Sequence, residues 1–278
     1  VLITDEEVAV KAAQAGAAVV AARYGAPLAR FPKSGGDFAT SADLEAEQAI
    51  LDVIRTARPD DSVTGEESGR TGSGAAERMW LVDPLCGTLN YAARNMLVAV
   101  NVALRVGPDI TVAASADPFA GEVFWTDGAH AYLRHDGADE RLTPSPDTGL
   151  VDVNLDPPFP NDPAFRAVRL LAEPAFAERF RPRVVSTALA VAWVAAGRRA
   201  AYVTDGHLQD SVHFAAGIAL CRAAGCVVTD LHGRPPHAGA GGLVAAADEE
   251  THAALLELIA AQFTAHTRAF SLGDHPEV

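Results

Sequence analysis

The sequence predicts an α+β fold in two halves, an N-terminal half built on an antiparallel sheet and a C-terminal α/β half. Three observations predict it. Between Val98 and Arg134, short apolar runs alternate with Gly, Pro or Asp turns, as in a meander of antiparallel strands. Between Thr143 and Pro163 lie six prolines, which mark a boundary and divide the chain into residues 1–145 and 146–278. Beyond it, strand-like and helix-like segments alternate.

Taken in order, Thr4 to Glu7 reads as a capping box that opens a helix. Val8, Ala12, Ala15, Val19 and Ala22 carry that helix to Tyr24. A glycine-containing loop, Lys33 to Asp37, follows. A second helix is expected from about Ser41 to Ala57, before Pro59. Its acids Asp43, Glu45 and Glu47 lie in the first turns, where the helix dipole favours them. Asp60 to Glu77 is polar, glycine-rich and read as loop, and Trp80–Val82 as a strand. The meander strands are Val98–Val106, Thr111–Ser115, Glu122–Trp125 and Ala131–Arg134. The second half reads as a possible strand at Leu150–Leu155, part-helix over Pro163–Phe180, and a strand at Arg183–Ser186. Then come a helix at Ala188–Ala196, a strand at Ala200–Thr204, a helix at His213–Ala224, strands at Val227–Thr229 and Leu243–Ala246, and a closing helix at Thr251–Ala265.

The bulk numbers exclude several classes. The chain has 278 residues, 49% of them hydrophobic, sufficient for a proper core. No apolar run reaches the ~18 residues of a membrane span, and no basic-then-apolar segment reads as a secretory signal. A net charge of −14 argues against nucleic acid, since phosphate binding needs clustered Lys and Arg. Three cysteines make no disulfide framework, which points to the reducing cytoplasm.

The chemistry-bearing residues are mostly carboxylates. Glu66, Glu67 and Asp83 come from a polar loop and a strand end, and Asp37 and Asp43 flank a loop-to-helix junction. Several carboxylate oxygens together suit a hard cation such as Mg²⁺. Each acid alone is more simply a solvated loop residue or a helix cap.

Four segments bind these residues into one pattern: Asp37-Phe38-Ala39-Thr40-Ser41-Ala42-Asp43, Gly65-Glu66-Glu67-Ser68, Trp80-Leu81-Val82-Asp83-Pro84-Leu85-Cys86-Gly87-Thr88, and Val212-His213-Phe214-Ala215-Ala216-Gly217. In them the chain resembles the inositol monophosphatase superfamily of Mg²⁺-dependent, lithium-sensitive phosphatases. The resemblance covers nearly the whole chain and implies a layered αβαβα sandwich with a metal site between its halves. It implies that Glu66, Asp83 and the backbone carbonyl of Leu85 hold a first Mg²⁺. It implies that Thr88 and Asp37 orient the attacking water, and that the turn at Gly87 and Thr88 binds phosphate through backbone amides. Ser186 and Thr204 fall where the family meets its substrate. The activity implied is hydrolysis of a small phosphate monoester, inositol-, sugar- or nucleotide-phosphate-like, with dimers common in the family.

The sequence departs from that pattern at the second metal. Where the family has two further aspartates beside Asp83, this chain has Cys86 and His213. Mg²⁺ does not favour a thiolate, whereas Asp83, Cys86 and His213 form a ligand set suited to Zn²⁺. Three readings follow: a phosphatase with an altered second metal site, a repurposed enzyme in which Cys86 is a nucleophile of depressed pKa and His213 its base, or a catalytically inactive ligand-binding homologue. Thr204 stands where the family often has an acid, and Asp205 or Asp210 in the loop after it would replace that acid. His207 in the same loop, and His130, His135, His232 and His237, read as surface residues. Cys221 and Cys226 read as buried, inert thiols.

Overall fold

A computed structural model of the chain describes residues 3–33, 37–72, 77–155, 165–206, 208, 211–236 and 241–271. The first half opens with helix α1 (Asp5–Arg23), hairpin strands β1 (Arg30–Pro32) and β2 (Phe38–Thr40), and helix α2 (Ser41–Ala57). Strands β3 (Ser62–Gly65), β4 (Gly69–Thr71) and β5 (Arg78–Cys86) lead into the short helix α3 (Thr88–Ala92). The meander follows as β6 (Ala99–Val106), β7 (Asp109–Asp117), β8 (Glu122–Thr126), β9 (Ala131–His135) and β10 (Ala138–Arg141). These strands form an eight-stranded sheet in the order β10-β9-β8-β7-β6-β5-β3-β4. The expected antiparallel meander runs from β5 to β10, but β3 lies parallel to β5.

The second half contains β11 (Leu150–Asn154), α4 (Ala167–Leu170), α5 (Pro174–Arg179), β12 (Arg181–Val184), α6 (Leu189–Ala195) and β13 (Ala201–Thr204). It continues with α7 (Ala215–Ala224), β14 (Val227–Thr229), β15 (Leu243–Ala246) and α8 (Glu249–Ser271). Its five strands pair in the order β12-β11-β13-β15-β14, parallel around β11 and antiparallel around β15.

Five layers result. Helices α1 and α2 cover one face of the large sheet, and α6 and α7 lie between the two sheets. Helices α4, α5 and α8 cover the far face of the small sheet. Apolar alternation makes each strand two-faced: Trp80 and Val82 of β5 face α1 and α2, while Met79 and Leu81 pack on α7. No helix among the described residues is long and apolar enough to cross a membrane.

Three expectations are corrected. Thr4 caps α1 by position only: its side chain makes no cap hydrogen bond, and the Glu7 carboxylate, which would reach back to the Thr4 N–H, is instead bonded by Arg134 at 2.9 Å. The stretch read as loop after Asp60 contains β3 and β4, whose three or four residues are too few to show a period. Strand β10 was missed because all four of its residues are exposed, leaving no apolar alternation to read.

Candidate metal centre

Strand β5 supplies the centre of the site. It pairs with β6 through Asp83↔Asn101 and then Cys86↔Ala99, so β5 carries one extra residue there. Pro84, which has no N–H to give a ladder, sits inside this bulge. The bulge turns the end of the strand so that Asp83, Leu85 and Cys86 all belong to one corner. Asp83 is wholly buried, and its Oδ1 accepts the Leu85 N–H at 3.2 Å. Gly87 then reverses the chain at φ +102°; a Cβ there would lie 2.9 Å from the Leu97 carbonyl oxygen, so the turn requires glycine.

Glu66 arrives from the parallel neighbour. Its N–H continues the β3–β5 ladder to the Val82 carbonyl at 3.0 Å, which sets it beside Asp83. Its loop is held by Glu47 of α2, whose carboxylate accepts the N–H groups of Glu67 and Ser68 at 2.8 and 2.9 Å. Lys33 donates to Glu66 Oε1 at 2.8 Å and to Glu67 Oε1 at 2.7 Å. Burial opposes the charge on Lys33, but these two carboxylates outweigh it and hold its pKa above the usual lysine value. The other oxygen of Glu66, Oε2, is buried with no hydrogen-bond partner.

Thr88 is paired with Asp43, not Asp37. Thr88 Oγ1 donates to Asp43 Oδ1 at 2.8 Å. Asp43 is the third residue of α2 and closes a capping box: Thr40 N–H donates to its Oδ2 at 2.8 Å, and the Thr40 hydroxyl is at 2.5 Å. One oxygen is therefore fixed by the cap and the other is left for Thr88. Asp37 lies before β2, is exposed, and accepts the N–H of Phe38 at 2.8 Å. Its expected role beside Thr88 is thus corrected, because the length of β2 separates it from the helix start. Burial raises the pKa of Asp43 against the pull of its hydrogen bonds.

His213 precedes α7 and reaches across from the second half. Its Nδ1 is 2.7 Å from Asp83 Oδ2 and 3.9 Å from Glu66 Oε2. One ligand atom from each of Asp83, Cys86 and His213 falls within 4.8 Å of the others. Burial works against both charges of the Asp83–His213 pair, yet their mutual attraction wins: His213 is raised well above the ordinary histidine value and Asp83 is lowered. Burial, with the Asp83 charge added, pushes Glu66 up to about 8. Burial and the same charge push the Cys86 thiol up to about 12, opposite to the depressed value a Cys86 nucleophile would need. The Cys86 sulfur accepts the N–H of Ala188 at 3.3 Å.

Asn90 closes the corner by donating to the carbonyls of Leu97 at 2.9 Å and Ser186 at 2.8 Å. Ser186 is thereby brought against Gly87, its carbonyl oxygen 3.4 Å from where a Cβ on that glycine would lie. Thr204 is different. It is buried at the end of β13, and its Oγ1 accepts the Gly206 N–H at 3.2 Å, so its hydroxyl serves the turn. Asp205 is also buried and accepts the Ala167 N–H at 2.9 Å, an internal use of the carboxylate proposed for substrate. His207, Asp210 and His237 lie outside the described residues. A cavity of about 490 Å³ lined by Leu81, Arg105, Ile110, Ala215, Ile218 and Arg222 contains none of the site residues.

The sequence pattern includes Asp43 without giving it a role beside Thr88, and it gives no place to Glu47 as a site support. The available signal was their spacing: four residues apart on α2, they share one helix face, and both are buried while Glu45 is exposed and pairs with Arg23.

The donor set fits a hard divalent cation. The wholly buried Asp83 and the part-buried Glu66 offer hard oxygens, with the Leu85 carbonyl next along β5, and the buried Glu66 Oε2 has no hydrogen-bond partner. Burial and the Asp83 charge both oppose the negative charge on Glu66, so a cation beside its unbonded Oε2 would stabilise that charge.

The family model described as the inositol monophosphatase family matches residues 4–267. The chain is 30% identical over 237 residues to the inositol-1-monophosphatase of Caulobacter vibrioides, covering 82% of this chain and 90% of that protein. It is 34% identical over 249 residues to Nus factor SuhB of Salmonella typhimurium, covering 86% and 89%. The solved structure of the extragenic suppressor protein suhB from Bartonella henselae superposes with a TM-score of 0.80 at 26% identity, over 91% of this chain and 96% of that one. The Thermotoga maritima IMPase superposes with a TM-score of 0.78 at 21% identity, over 92% and 97%, which shows the shared fold. With its layered fold and its carboxylate corner, the chain belongs to the inositol monophosphatase family.

Proposed function

We propose that this protein hydrolyses a small phosphate monoester at the corner formed by Glu66, Asp83 and Thr88. The observation that carries the reading is the unpartnered, buried Glu66 Oε2 beside Asp83, with the Thr88–Asp43 pair at the same corner. Glu66, Asp83 and the Leu85 carbonyl would hold Mg²⁺, which when bound draws charge from phosphate oxygens and acidifies water. The chain's own residues do the rest. Thr88 Oγ1 has one proton, with Asp43 Oδ1 at 2.8 Å and the Leu85 carbonyl at 3.2 Å able to accept it; given to the nearer Asp43, it leaves the oxygen lone pairs as acceptors. A water donating to Thr88 is then turned with its own lone pair toward phosphorus. The backbone amides at Gly87 and Thr88 open α3 and would bind phosphate oxygens.

Cys86 and His213 alter the second position. Together with Asp83 they would hold Zn²⁺ better than Mg²⁺, because sulfur and imidazole suit the softer ion. A net charge of −14 supports a small ester rather than a nucleic acid as partner, and the free cysteines support a cytoplasmic setting.

The test is phosphate release from inositol, sugar and nucleotide monophosphates with Mg²⁺, Mn²⁺ or Zn²⁺. The expected result is metal-dependent turnover that Asp83→Ala abolishes. No turnover across the panel would overturn the proposal.

A further inference from the structure

Helix α7 ends in a complete Schellman motif. Gly225 takes the left-handed conformation at φ +95°. The Cys226 N–H donates to the Cys221 carbonyl at 2.9 Å, and the Gly225 N–H donates to Arg222 at 3.1 Å. In this motif the side chains of the last full turn and of the residue after the glycine meet. Here both are cysteines. Cys226 packs against the buried cluster that contains Cys221, and the Cys221 thiol donates to the Val191 carbonyl at 3.2 Å. Cys221 is fully buried, whereas Cys226 is partly exposed.

We propose that Cys221 and Cys226 form an oxidisable dithiol that closes to a disulfide across the end of α7. A disulfide needs its Cα atoms about 4.4–6.8 Å apart, and the 2.9 Å backbone bond from Cys226 to Cys221 brings the two residues side by side. The exposed thiol reacts first with a hydroperoxide. The Cys226 thiolate attacks the terminal oxygen, the O–O bond breaks, and the leaving oxygen takes a proton to become water or an alcohol. The Cys226 sulfenic acid is then attacked by the Cys221 sulfur. The S–S bond forms, hydroxide leaves, and the Cys221 proton converts it to water. Each cysteine loses one electron and the peroxide gains two. The meeting of these two side chains at the Schellman turn lets the second step occur without unfolding the helix. The buried position of Cys221 excludes larger thiols from competing for the sulfenic acid from that side.

The experiment treats the folded full chain with hydrogen peroxide, alkylates it under denaturing conditions, and digests it with trypsin. The intact chain is expected to lose 2 Da relative to the reduced form (two hydrogens) and to retain one alkylatable thiol, Cys86. Cleavage after Arg222 is expected to leave the peptide ending at Arg222 joined to the one beginning at Ala223 until a reductant is added. Cys226→Ser should abolish the 2 Da product and Cys86→Ser should keep it. A linkage that includes Cys86, or Cys226 driven to sulfinic acid while Cys221 stays alkylatable, would overturn the proposal.

Discussion

Gly65 exists to leave room for the carboxylate that shapes the metal loop. A Cβ built on Gly65 would lie 2.5 Å from Glu47 Oε2 and 2.7 Å from its Cδ. The carboxylate has no slack, since both oxygens are engaged by the N–H groups of Glu67 and Ser68. Gly65→Ala therefore displaces Glu47 and forfeits two hydrogen bonds to a charged group, each worth about 1.5–3 kcal/mol. Taking the lower value for each, the variant should lose about 3 kcal/mol of stability. Glu47→Ala removes the same bonds and should cost a similar amount. In the Glu47→Ala background nothing remains for the new methyl to strike, so adding Gly65→Ala should change stability by no more than about 0.5 kcal/mol. A double-mutant cycle by urea unfolding thus has an expected coupling of about 3 kcal/mol. Costs that add to within about 0.5 kcal/mol would refute the account of Gly65. Because Glu66 is the next residue, the single variant should also need more Mg²⁺ for half-maximal phosphate release.

Other predictions concern both halves of the molecule. Thr88→Val and Asp43→Asn should each lower kcat by about 10²–10⁴-fold in the phosphate-release assay, while Asp37→Ala should change it by less than about 3-fold; a loss at Asp37 matching that at Asp43 would restore the motif-based pairing. Asp152 is wholly buried, with Arg199 Nε at 2.8 Å from its Oδ2, and burial raises its pKa. Arg199→Met should therefore cost about 3–5 kcal/mol in chemical denaturation, and a cost under 1 kcal/mol, the ordinary worth of a surface pair, would contradict it. His252 is buried with Nε2 2.8 Å from Thr229 Oγ1, and burial lowers its pKa below the free value near ~6.5. The unfolded chain binds this proton first, so the stability contributed by neutral His252 is complete above that pH and is lost as pH falls toward the folded value. His252→Gln should flatten the melting-temperature profile between about pH 7 and 5, and an unchanged profile would rule His252 out as a cause.

Much of this molecule was legible as sequence because much of it is set by local rules. Start and stop residues marked the main helices and apolar runs marked the meander, with glycine or proline at the turns between them, although the stripe Val8, Ala12, Ala15, Val19, Ala22 read for α1 is not its buried face, since Ala22 is exposed. Elements without such a signal escaped: β3 and β4 are too short, and β10 has no buried face. The corner was legible in its parts. Glu66, Asp83, Cys86, Thr88 and His213 were all named from motifs, and the fold brings them together.

What the sequence by itself determined was the identity of the groups and the elements that carry them. Tertiary structure decided which groups meet. Asp37 and Asp43 stand in one seven-residue motif, and nothing local ranks one above the other. A three-residue strand separates Asp37 from the helix start, a distance of about 10 Å at ~3.3 Å per residue, and only the crossing of β5 beside α2 selects Asp43 for Thr88. The charge states of Asp83, Glu66 and Cys86 were decided in the same way. Burial and neighbours from three distant segments set them, and neither is a property of the local chain.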